Sequence, residues 1–524
     1  MNEKLNTDFK KVCKLLFGSE IGDLKDFEPW LKEAMVPYKE VKSIISGKEV
    51  MIAGPYWPND AKFISQDEIG KVKLEPLNIN EIKDIDSLFR AVKDKIIYCG
   101  NRTFGKNFDV EKVDNCIDCS DVYYAHNIHR VKYGAYCSSV RDDERVYGGS
   151  AVVRSNHVIR CVEVIGIVRC FETHYATSTM DTFYCLNVSG CSNCMFTFNQ
   201  KAKSYLIGNL QLTKEKYLEL KTKLVSEMAE KLKKDKRLFS IADIVKTKTT
   251  IEEVEVAPSP VPQTVEKAFS STMRIVLGKE YKDSRQLAPW LLKKVLKVKR
   301  VRAVHGKHTY WVDLPIVKNL APERLLAKEE AFQSSKDGIE IKNGEPLSLD
   351  EVVKKVAEKA YFTFEFTDGN SLNVVDVPNI FNGTNAYLCW DITDSMYAGY
   401  TSSPVGNSKY IFGGGYIRIL SSEFCVSCYD ISNCKNCLEI EGCSSSSELC
   451  FSHNCENIMG GIFCFNAKGL RYAIGNIEVG RDEFLRVKKI LLDYVNNELE
   501  KNNRVNFDIF TLTSFFQQYH LSKK

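Results

Sequence analysis

Cysteine pairs separated by two residues are the feature of this chain best suited to chemistry. They occur in both halves of the sequence. Two thiolates on one turn can reach the same tetrahedral ion, so such pairs are typical of zinc or iron–sulfur sites. One interpretation of the spacing is therefore a metal-binding protein, with the ligands Cys425, Cys428, Cys434, Cys437, Cys191 and Cys194.

The spacing of the cysteines as a whole supports a second interpretation. Of the seventeen cysteines from Cys116 to Cys464, all except Cys450 are separated by multiples of three residues. This register creates Cys-x2-Cys pairs automatically, which weakens them as a metal signal. Cysteine is small, apolar and readily buried. We therefore expect most cysteines to serve in packing. Binding of zinc or an iron–sulfur cluster is the second interpretation, and a redox or catalytic role for a thiol is the third.

The same register carries an apolar pattern with a period of six. From Val122 to Cys194, every sixth residue is apolar at eleven of thirteen positions, and the residue three further on is usually small. An α-helix needs a period of 3.6 and a simple strand a period of two. The pattern predicts a stacked β-helix, or solenoid, in which one position fills the interior and the other turns a corner.

Internal repeats indicate a tandem duplication. Residues 29–31 (Pro-Trp-Leu) recur at 289–291, and residues 205–209 (Tyr-Leu-Ile-Gly-Asn) are matched at 472–476. A charged amphipathic helix follows each copy of the second motif, and Thr213 is a suitable N-cap for the first helix. The predicted fold class is α+β, with two modules that each contain a mixed α/β region, a solenoid and a C-terminal capping helix.

Composition shifts give the predicted boundaries. A Pro-rich stretch separates the modules and an aromatic tail ends the chain. The segments are the cap region 1–115, the solenoid with its helix 116–250, the linker 251–263, the second cap region 264–384, the second solenoid with its helix 385–505, and the tail 506–524. The tail could add a strand, bind a partner or pack on its own module.

Three histidines in the first predicted solenoid raise a catalytic alternative. His126, His129 and His174 lie in a hexapeptide pattern, and acyltransferases with a β-helix use a histidine as general base. The competing interpretation places these side chains on the surface, because Ile128 and Val131 already fill the inward positions. No nucleotide-binding, serine-hydrolase or zinc-protease motif is present, so we expect no enzyme and name no catalytic or cofactor-binding residue.

Charge and hydropathy argue against two classes of partner. Seventy-two basic and sixty-eight acidic residues leave a net charge of +4, which gives no reason to expect nucleic acid. The basic run 293–302 is better explained as a solvated face. No secretory signal or membrane-spanning run is visible, and the many cysteines favour the reducing cytoplasm, or a virion if the chain is viral.

The end of the first cysteine register carries a further pattern, which consists of Cys191, Cys194, Phe196, Asn199, Tyr205, Ile207, Asn209 and residues 213–217. In these residues the chain resembles uncharacterised cysteine-rich β-helix repeat proteins of archaea, small uncultured bacteria and large phages. The second half departs from this pattern, with Ile458 and Gly461 where the last cysteine pair would be. The resemblance implies a fold type and no established activity.

Together these features predict a non-enzymatic structural or interaction protein, in which duplicated solenoid surfaces serve self-assembly or partner binding in a cellular or viral assembly. The expected partner is a second copy or another protein, without nucleic acid or membrane. The alternative is a metal-binding protein that uses its Cys-x2-Cys pairs, and a weaker alternative is a β-helix acyltransferase.

Overall fold

The computed structural model describes residues 2–73, 76–245, 259–342, 347–415 and 419–521. These residues form both helices and many strands, which confirms the predicted α+β class. Within these ranges, no helix is both long enough and apolar enough to cross a membrane. Residues 251–258 of the predicted linker lie outside the described ranges.

The helices include two long ones that begin close to their predicted starts. Thr213 is the N-cap of the first, as predicted, and its side chain accepts a hydrogen bond from the Lys216 amide. The α-helices are α1 (Glu3–Phe17), α2 (Glu28–Lys32), α3 (Ile85–Val92), α4 (Lys214–Asp235), α5 (Ile241–Ile244), α6 (Gln263–Leu277), α7 (Ala288–Leu291), α8 (Lys328–Ser334), α9 (Leu349–Lys359), α10 (Arg481–Asn502) and α11 (Leu512–Leu521).

Most strands are short and belong to parallel sheets. Their bounds are β1 (Tyr38–Lys42), β2 (Glu49–Ala53), β3 (Phe63–Ser65), β4 (Tyr98–Gly100), β5 (Thr103–Phe104), β6 (Phe108–Ile117), β7 (Ser120–Val153), β8 (Asn156–Ile165), β9 (Val168–Thr177), β10 (Met180–Ser189), β11 (Ser192–Met195), β12 (Phe198–Lys201), β13 (Ser204–Ile207), β14 (Leu210–Gln211), β15 (Val298–Arg302), β16 (His308–Val312), β17 (Phe366–Asp368), β18 (Leu372–Val375), β19 (Asn379–Phe381), β20 (Thr384–Tyr387), β21 (Asp391–Thr393), β22 (Met396–Gly399), β23 (Pro404–Val405), β24 (Lys409–Gly414), β25 (Ile419–Leu420), β26 (Glu423–Cys428), β27 (Ile431–Ser432), β28 (Lys435–Leu438), β29 (Ser447–Cys450), β30 (His453–Glu456), β31 (Met459–Ile462), β32 (Phe465–Lys468), β33 (Arg471–Ile474) and β34 (Ile477–Glu478).

The chain folds into two compact units, and each unit is assembled from separate stretches of sequence. Unit 1 contains Met1–Val36, Thr103–Ala257 and Lys297–Asp368, whereas unit 2 contains Pro37–Arg102, Pro258–Leu296 and Gly369–Lys524. The predicted cap regions 1–115 and 264–384 are therefore each divided between the two units. The middle part of each cap region belongs to the unit that holds the cysteine register of the other half.

Unit 1 is organised around a parallel ladder in which, from β6 onward, paired residues are twelve positions apart, whereas the first step, from Thr103 to Cys116, is thirteen. Val146 pairs with Val158, and Val158 with Cys170. The antiparallel strand β14 closes the C-terminal edge on β13, and α4 follows. Helix α1 packs on the ladder through its aromatic side chains, with the rings of Phe17 and Phe171 5.1 Å apart.

The backbone of this ladder enters the left-handed region at every third residue. Asn115, Asp118 and Asp121 have φ values of 54°, 52° and 55°. The residue after each of these faces the interior, so one cluster contains Cys116, Cys119 and Val122 together with the residues that continue the series. The predicted division of this series into interior and corner positions is therefore wrong. All of its members face inward, and the preceding residue makes the corner.

Left-handed conformations are costly for residues other than glycine, at about 1–2 kcal/mol each. Ladders of side chains at these corners offset part of that cost. The Asn115 side-chain amide donates to Asn127 Oδ1 at 2.8 Å, and Asn187 donates to Asn199 at 2.9 Å. Asparagine suits these positions because it tolerates the left-handed region and its amide both donates and accepts.

Unit 2 contains a second parallel ladder with the same twelve-residue pairing over most of its length. The exceptions are consecutive, because Met396 pairs with Lys409 and Lys409 with Glu423. These two steps are thirteen and fourteen residues long, so they add one and two residues to the usual twelve. The three added residues equal one full period of the three-residue spacing, so the cysteines after this point keep that spacing. Cys450, the one cysteine outside the register, pairs with Leu438 and belongs to the cluster outside the ladder interior.

Each ladder binds the middle part of a cap region near its C-terminal end, through β12 in unit 1 and β32 in unit 2. In unit 1, the Asn199 side-chain amide donates to the Tyr361 carbonyl at 3.0 Å. In unit 2, the Asn466 side-chain amide donates to the Ile97 carbonyl at 2.7 Å. Ring contacts accompany both bonds, with Phe198 on Phe362 and Tyr98 on Phe465. These contacts place residues 297–368 in unit 1 and residues 37–102 in unit 2.

The aromatic tail packs on its own unit, which was one of the three alternatives left open. Phe507, Phe510 and Phe516 are buried in the main apolar cluster of unit 2. The Phe510 ring lies 4.8 Å from the Trp57 ring in an edge-on arrangement. The tail therefore contributes to the core of unit 2.

Candidate functional site

Sixteen of the nineteen cysteines belong to the inner apolar clusters of the two ladders, and the exceptions are Cys13, Cys99 and Cys450. All nineteen are buried. In unit 2, Cys425 and Cys437 are paired neighbours on adjacent strands. The Cys425 thiol lies within hydrogen-bond reach of two carbonyl oxygens, those of Glu423 at 3.5 Å and Cys434 at 3.8 Å. Buried thiols in this arrangement fill space and find acceptors on the ladder backbone.

The structure brings the predicted metal ligands together as two separate sets. Cys425, Cys428, Cys434 and Cys437 interact with one another in unit 2, and Cys191 and Cys194 form a pair in unit 1. Among the residues that the structure describes, no group of three or more His, Cys, Asp or Glu side chains has the arrangement needed to hold a metal ion. The metal interpretation of these cysteines remains a prediction.

Two of these thiols are easier to ionise than an ordinary cysteine. Burial opposes ionisation of Cys437, but hydrogen bonds from Cys425 and Cys434 outweigh it and hold the pKa of Cys437 well below its usual value. The hydrogen bond from Cys194 lowers the pKa of Cys191 to about 7. Ionisable thiols are the reactive ones when solvent can reach them. Here burial keeps reagents away from Cys437.

The histidines singled out in the sequence are buried or half-buried in unit 1. His126 is fully buried and its Nε2 lies 3.2 Å from the Val36 carbonyl oxygen. Burial lowers the pKa of His126 to about 4. His174 is also fully buried, so the surface interpretation is wrong for both of these side chains, and His129 is half-buried.

His174 belongs to a buried charged network in unit 1. Its Nε2 lies 3.0 Å from Glu172 Oε2, and the Arg160 guanidinium donates to the other Glu172 oxygen. Burial opposes ionisation of Glu172, but Arg160 and His174 together hold the pKa of Glu172 below its usual value. Arg160 also donates to the Trp30 carbonyl, so the network fastens α2 to the ladder.

A second buried network in unit 2 was missed in the sequence. Arg102 donates to both oxygens of Glu441 at 2.9 Å, and His453 Nδ1 lies 2.6 Å from Glu441 Oε2. The Cys99 amide donates to His453 Nε2 at 2.8 Å. Because Nε2 accepts that bond, Nδ1 carries the proton that reaches Glu441. Both ring nitrogens of His453 are therefore engaged, one by Glu441 and one by the Cys99 amide.

In each network, one pair of contacting residues could have been predicted from its spacing in the sequence. Glu441 and His453 are twelve residues apart, as are Arg160 and Glu172. Twelve is the pairing distance of the ladders, so the two members of each pair are ladder neighbours. Knowledge of the twelve-residue pairing would have suggested these contacts. Arg102 comes from a distant stretch of sequence, and no periodic pattern connects it with the ladder of unit 2.

The exposed edge strand β18 is the surface feature that most distinguishes the two ladders. β18 is the terminal strand of the ten-stranded sheet of unit 2, and it pairs only with β20 in that sheet. Its sequence, Leu-Asn-Val-Val, carries no charge, and the Leu372 side chain is 65% exposed. The opposite edge of this sheet ends in the antiparallel strand β34, and α10 follows.

The corresponding strand of unit 1 has a different surface. β6 also begins with an exposed apolar residue, Phe108, which is 67% exposed. The next residues include Asp109, Glu111 and Lys112, which carry charge along the strand. Charged side chains on an edge strand oppose pairing with another chain. Of these two strands, only β18 is free of charge along its length, and β6 also pairs with β5 at Cys116 and Ile117.

Comparison with models of known protein families, with curated proteins and with solved structures finds no match to this chain.

Proposed function

We propose that this chain is a structural and interaction protein that associates with a second copy of itself through β18. In this proposal the two ladders are β-solenoids, and the two sequence halves are copies of one module. The observation that carries the proposal is the uncharged, exposed edge at β18, set against a charged edge at β6. An open edge with free backbone groups is a template for pairing with another strand.

Matched contacts support the duplication. Asn209 and Asn476 each bond both the amide and the carbonyl of a phenylalanine eleven residues earlier. Ser138 Oγ accepts from the Val36 amide at 2.9 Å, and Ser402 Oγ accepts from the Leu296 amide at 2.8 Å. The twelve-residue pairing, the corners at every third residue and the interior thiols support the solenoid assignment.

The engagement of the buried histidines supports a non-enzymatic role. His126, His174 and His453 each make a hydrogen bond inside the protein, and two of them belong to charged networks that join a ladder to other segments of its unit. A general base needs a nitrogen within reach of a substrate proton. These three side chains instead stabilise packing.

A second copy is the occupant that we propose for β18. Two identical edges can pair antiparallel about a twofold axis, and such an interface closes on itself. A strand of four residues buries little area, so we expect a weak dimer. Each Leu372 side chain would gain about 1.5–3 kcal/mol if the dimer buried it fully.

The test is sedimentation velocity and light scattering over a wide range of protein concentration. We expect a monomer–dimer equilibrium for the natural chain. Leu372→Lys places a charge on the edge without disturbing a buried site, and it should weaken the dimer at least tenfold. Phe108→Lys is the matched control, because it adds one more charge to an edge that is already charged and should leave the equilibrium unchanged.

Three results would contradict the proposal. The first is a chain that stays monomeric at every concentration. The second is a dimer that Leu372→Lys leaves intact, since that dimer would use another surface. The third is a dimer that Phe108→Lys dissociates, since the association would then involve unit 1.

A further inference from the structure

Lys221 of α4 is a half-buried lysine that lies against the ladder of unit 1. Its Nζ is 5.4 Å from the centre of the Phe183 ring and 6.0 Å from the centre of the Tyr217 ring. Within the described part of the chain, this nitrogen forms no ion pair and no hydrogen bond. It is not one of the fully buried polar atoms that lack a partner, so solvent still reaches it. Lys221 is therefore an ammonium group that is partly removed from water without a counter-ion.

The carboxylate that interacts electrostatically with Lys221, that of Asp181, is already bound by an arginine. Arg169 lies one ladder step before Asp181 and donates to its two oxygens, from Nε at 2.8 Å and from Nη2 at 2.6 Å. Such a two-bond pairing is the strongest that a carboxylate forms with a side chain. Arg169 also acts on Lys221 as a nearby positive charge, which disfavours the ammonium form. Arg169 thus takes the counter-ion that Lys221 would otherwise use.

Unit 2 contains a lysine at the corresponding place, Lys488. The helices α4 and α10 both have 22 residues, and Lys221 and Lys488 are each the eighth residue. Lys488 is also half-buried, but its Nζ lies 2.9 Å from Glu448 Oε2. Glu448 corresponds to Asp181, because each of these acids lies forty residues before its lysine. The same helix position therefore holds an ion-paired lysine in unit 2 and an unpaired one in unit 1.

Two differences in the ladders account for this contrast. Asn436 stands in unit 2 at the place of Arg169, and its neutral amide does not compete with Lys488 for the carboxylate. Cys450 stands at the place of Phe183, so a small thiol replaces a large ring. Ring faces attract an ammonium group less strongly than a carboxylate does at hydrogen-bond distance. The surroundings of the unit 1 lysine therefore support its charge less well.

The two lysines consequently differ in how readily they lose a proton. Burial lowers the pKa of Lys221, and the charge of Asp181 does not offset this effect. Burial acts in the same direction on Lys488, but Cys450 and Glu448 outweigh it and raise the pKa of Lys488. Only the neutral amine of a lysine is a nucleophile, and desolvation is one way in which proteins activate it. A difference of one pKa unit changes the neutral fraction about tenfold.

We propose that Lys221 is a site of lysine acylation, at which the amine accepts an acyl group from a small activated donor, an acyl phosphate or a thioester. The ammonium group first releases a proton to water. The neutral nitrogen then attacks the acyl carbon and forms a C–N bond, while the bond from that carbon to the phosphate oxygen or the thioester sulfur breaks. The leaving group keeps the electron pair, and the nitrogen releases a second proton to solvent. The product is a neutral amide, which burial against two rings disfavours less than an unpaired charge.

The test measures the acylation rates of individual lysines in the folded full-length protein by peptide mass spectrometry. The probes are acetyl phosphate and the thioester S-acetyl-N-acetylcysteamine, and the urea-denatured protein supplies the reference rate for each lysine. We expect Lys221 to react at least about tenfold faster than Lys488 in the folded protein and at the same rate in the denatured protein. The rate at Lys221 should also reach its plateau at a lower pH. The donor that gives the larger ratio identifies the class of acyl group.

Variants test the role of Arg169. Arg169→Gln releases the Asp181 carboxylate to pair with Lys221, so the rate at Lys221 should fall at least about threefold, toward that of Lys488. Arg130→Gln is the matched control, because Arg130 pairs with Asp142 across the same twelve-residue step. Arg130 is not among the charges that influence Lys221. This variant should leave the rate at Lys221 unchanged.

The rate at Lys488 reports whether each variant remains folded, since it depends on unit 2 alone. The proposal is overturned if Lys221 reacts no faster than Lys488 with both donors in the folded natural chain. It is also overturned if Arg169→Gln leaves the rate at Lys221 unchanged while Lys488 keeps its rate. A slower reaction at Lys221 in Arg130→Gln, equal to that in Arg169→Gln, would likewise contradict the assignment.

Discussion

His453 Nδ1 lies 2.6 Å from Glu441 Oε2, and the two residues are paired neighbours in the unit 2 ladder. Glu441 also receives both bonds of the Arg102 guanidinium, and all three side chains are almost fully buried. This carboxylate therefore links the ladder to residues 37–102.

Removal of the Glu441 charge should destabilise unit 2 strongly. Glu441→Gln leaves the buried Arg102 guanidinium without this carboxylate, and loss of one member of a buried ion pair costs about 3–5 kcal/mol. Urea unfolding monitored by circular dichroism measures the change. The matched control is Glu423→Gln, since Glu423 is half-buried and pairs with the exposed side chains of Lys409 and Lys435. Exposed pairs contribute about 0–1 kcal/mol, so equal effects of the two variants would refute this account.

Gly148 is a site where an added methyl group should prevent close packing. Its φ is 63°, and a Cβ there would lie 2.9 Å from Leu31 Cδ2 and 3.0 Å from the Leu31 carbonyl oxygen. Gly166→Ala is the matched control, because Gly166 has a φ of 65° with nothing within 4 Å. Both variants bear the left-handed cost of about 1–2 kcal/mol. Gly148→Ala should lower the melting temperature more, and a smaller or equal drop would contradict the contact argument.

Stability should fall as pH rises because of Glu439. Burial, with a further contribution from Asp508, raises the pKa of Glu439 well above its usual value near 4.5. The folded chain therefore keeps a proton that the unfolded chain releases. Stability is fully present below the unfolded pKa and declines, by about 1.4 kcal/mol per pH unit from this group, until pH reaches the folded pKa.

Glu439→Gln tests this dependence, because glutamine stays neutral and can still accept the bond from the Ile509 amide. We expect the variant to be more stable than the natural chain at pH 7 and to approach it near pH 4. Melting curves across this range provide the comparison. A difference that does not depend on pH would show that Glu439 is not the responsible group.

His126 should contribute the opposite dependence on the acid side. Burial lowers its pKa to about 4, so the unfolded chain binds a proton at pH values where the folded chain does not. The stability from this group is present above the unfolded pKa near 6.5 and is lost as pH falls toward 4. His126→Gln should flatten the acid limb of the stability profile between pH 6.5 and 4. An acid limb as steep as that of the natural chain would reject this assignment.

The thiols should behave as buried filler. All nineteen cysteines are buried, so we expect slow reaction of the native protein with a thiol reagent and a full count of nineteen after denaturation. We also expect less than stoichiometric zinc or iron in protein purified without added metal. Near-stoichiometric metal that is released together with new reactive thiols would instead favour the metal-binding alternative for Cys425, Cys428, Cys434 and Cys437.

Local patterns in the sequence determined much of this protein. The three-residue spacing of cysteines and valines predicted a repeating strand geometry, and Thr213 predicted the start of α4. Such features can be read from a sequence because each depends on neighbouring residues and on a fixed period. The pattern did not show that the whole series faces inward. The inward orientation of the whole series depends on which residues adopt the left-handed backbone conformation. Residues as different as Asn115 and Tyr124 adopt it, so residue type alone does not predict these positions.

Only the tertiary structure decided which segments belong together. Residues 37–102 pack on the ladder of the second half and residues 297–368 on the ladder of the first, through contacts such as Asn466 with Ile97 and Asn199 with Tyr361. Both ladders present an asparagine at this place, so the local sequence does not choose between them. The choice follows from the total burial and hydrogen bonding of whole segments, which a single sequence does not reveal because the contacting residues are far apart in the chain.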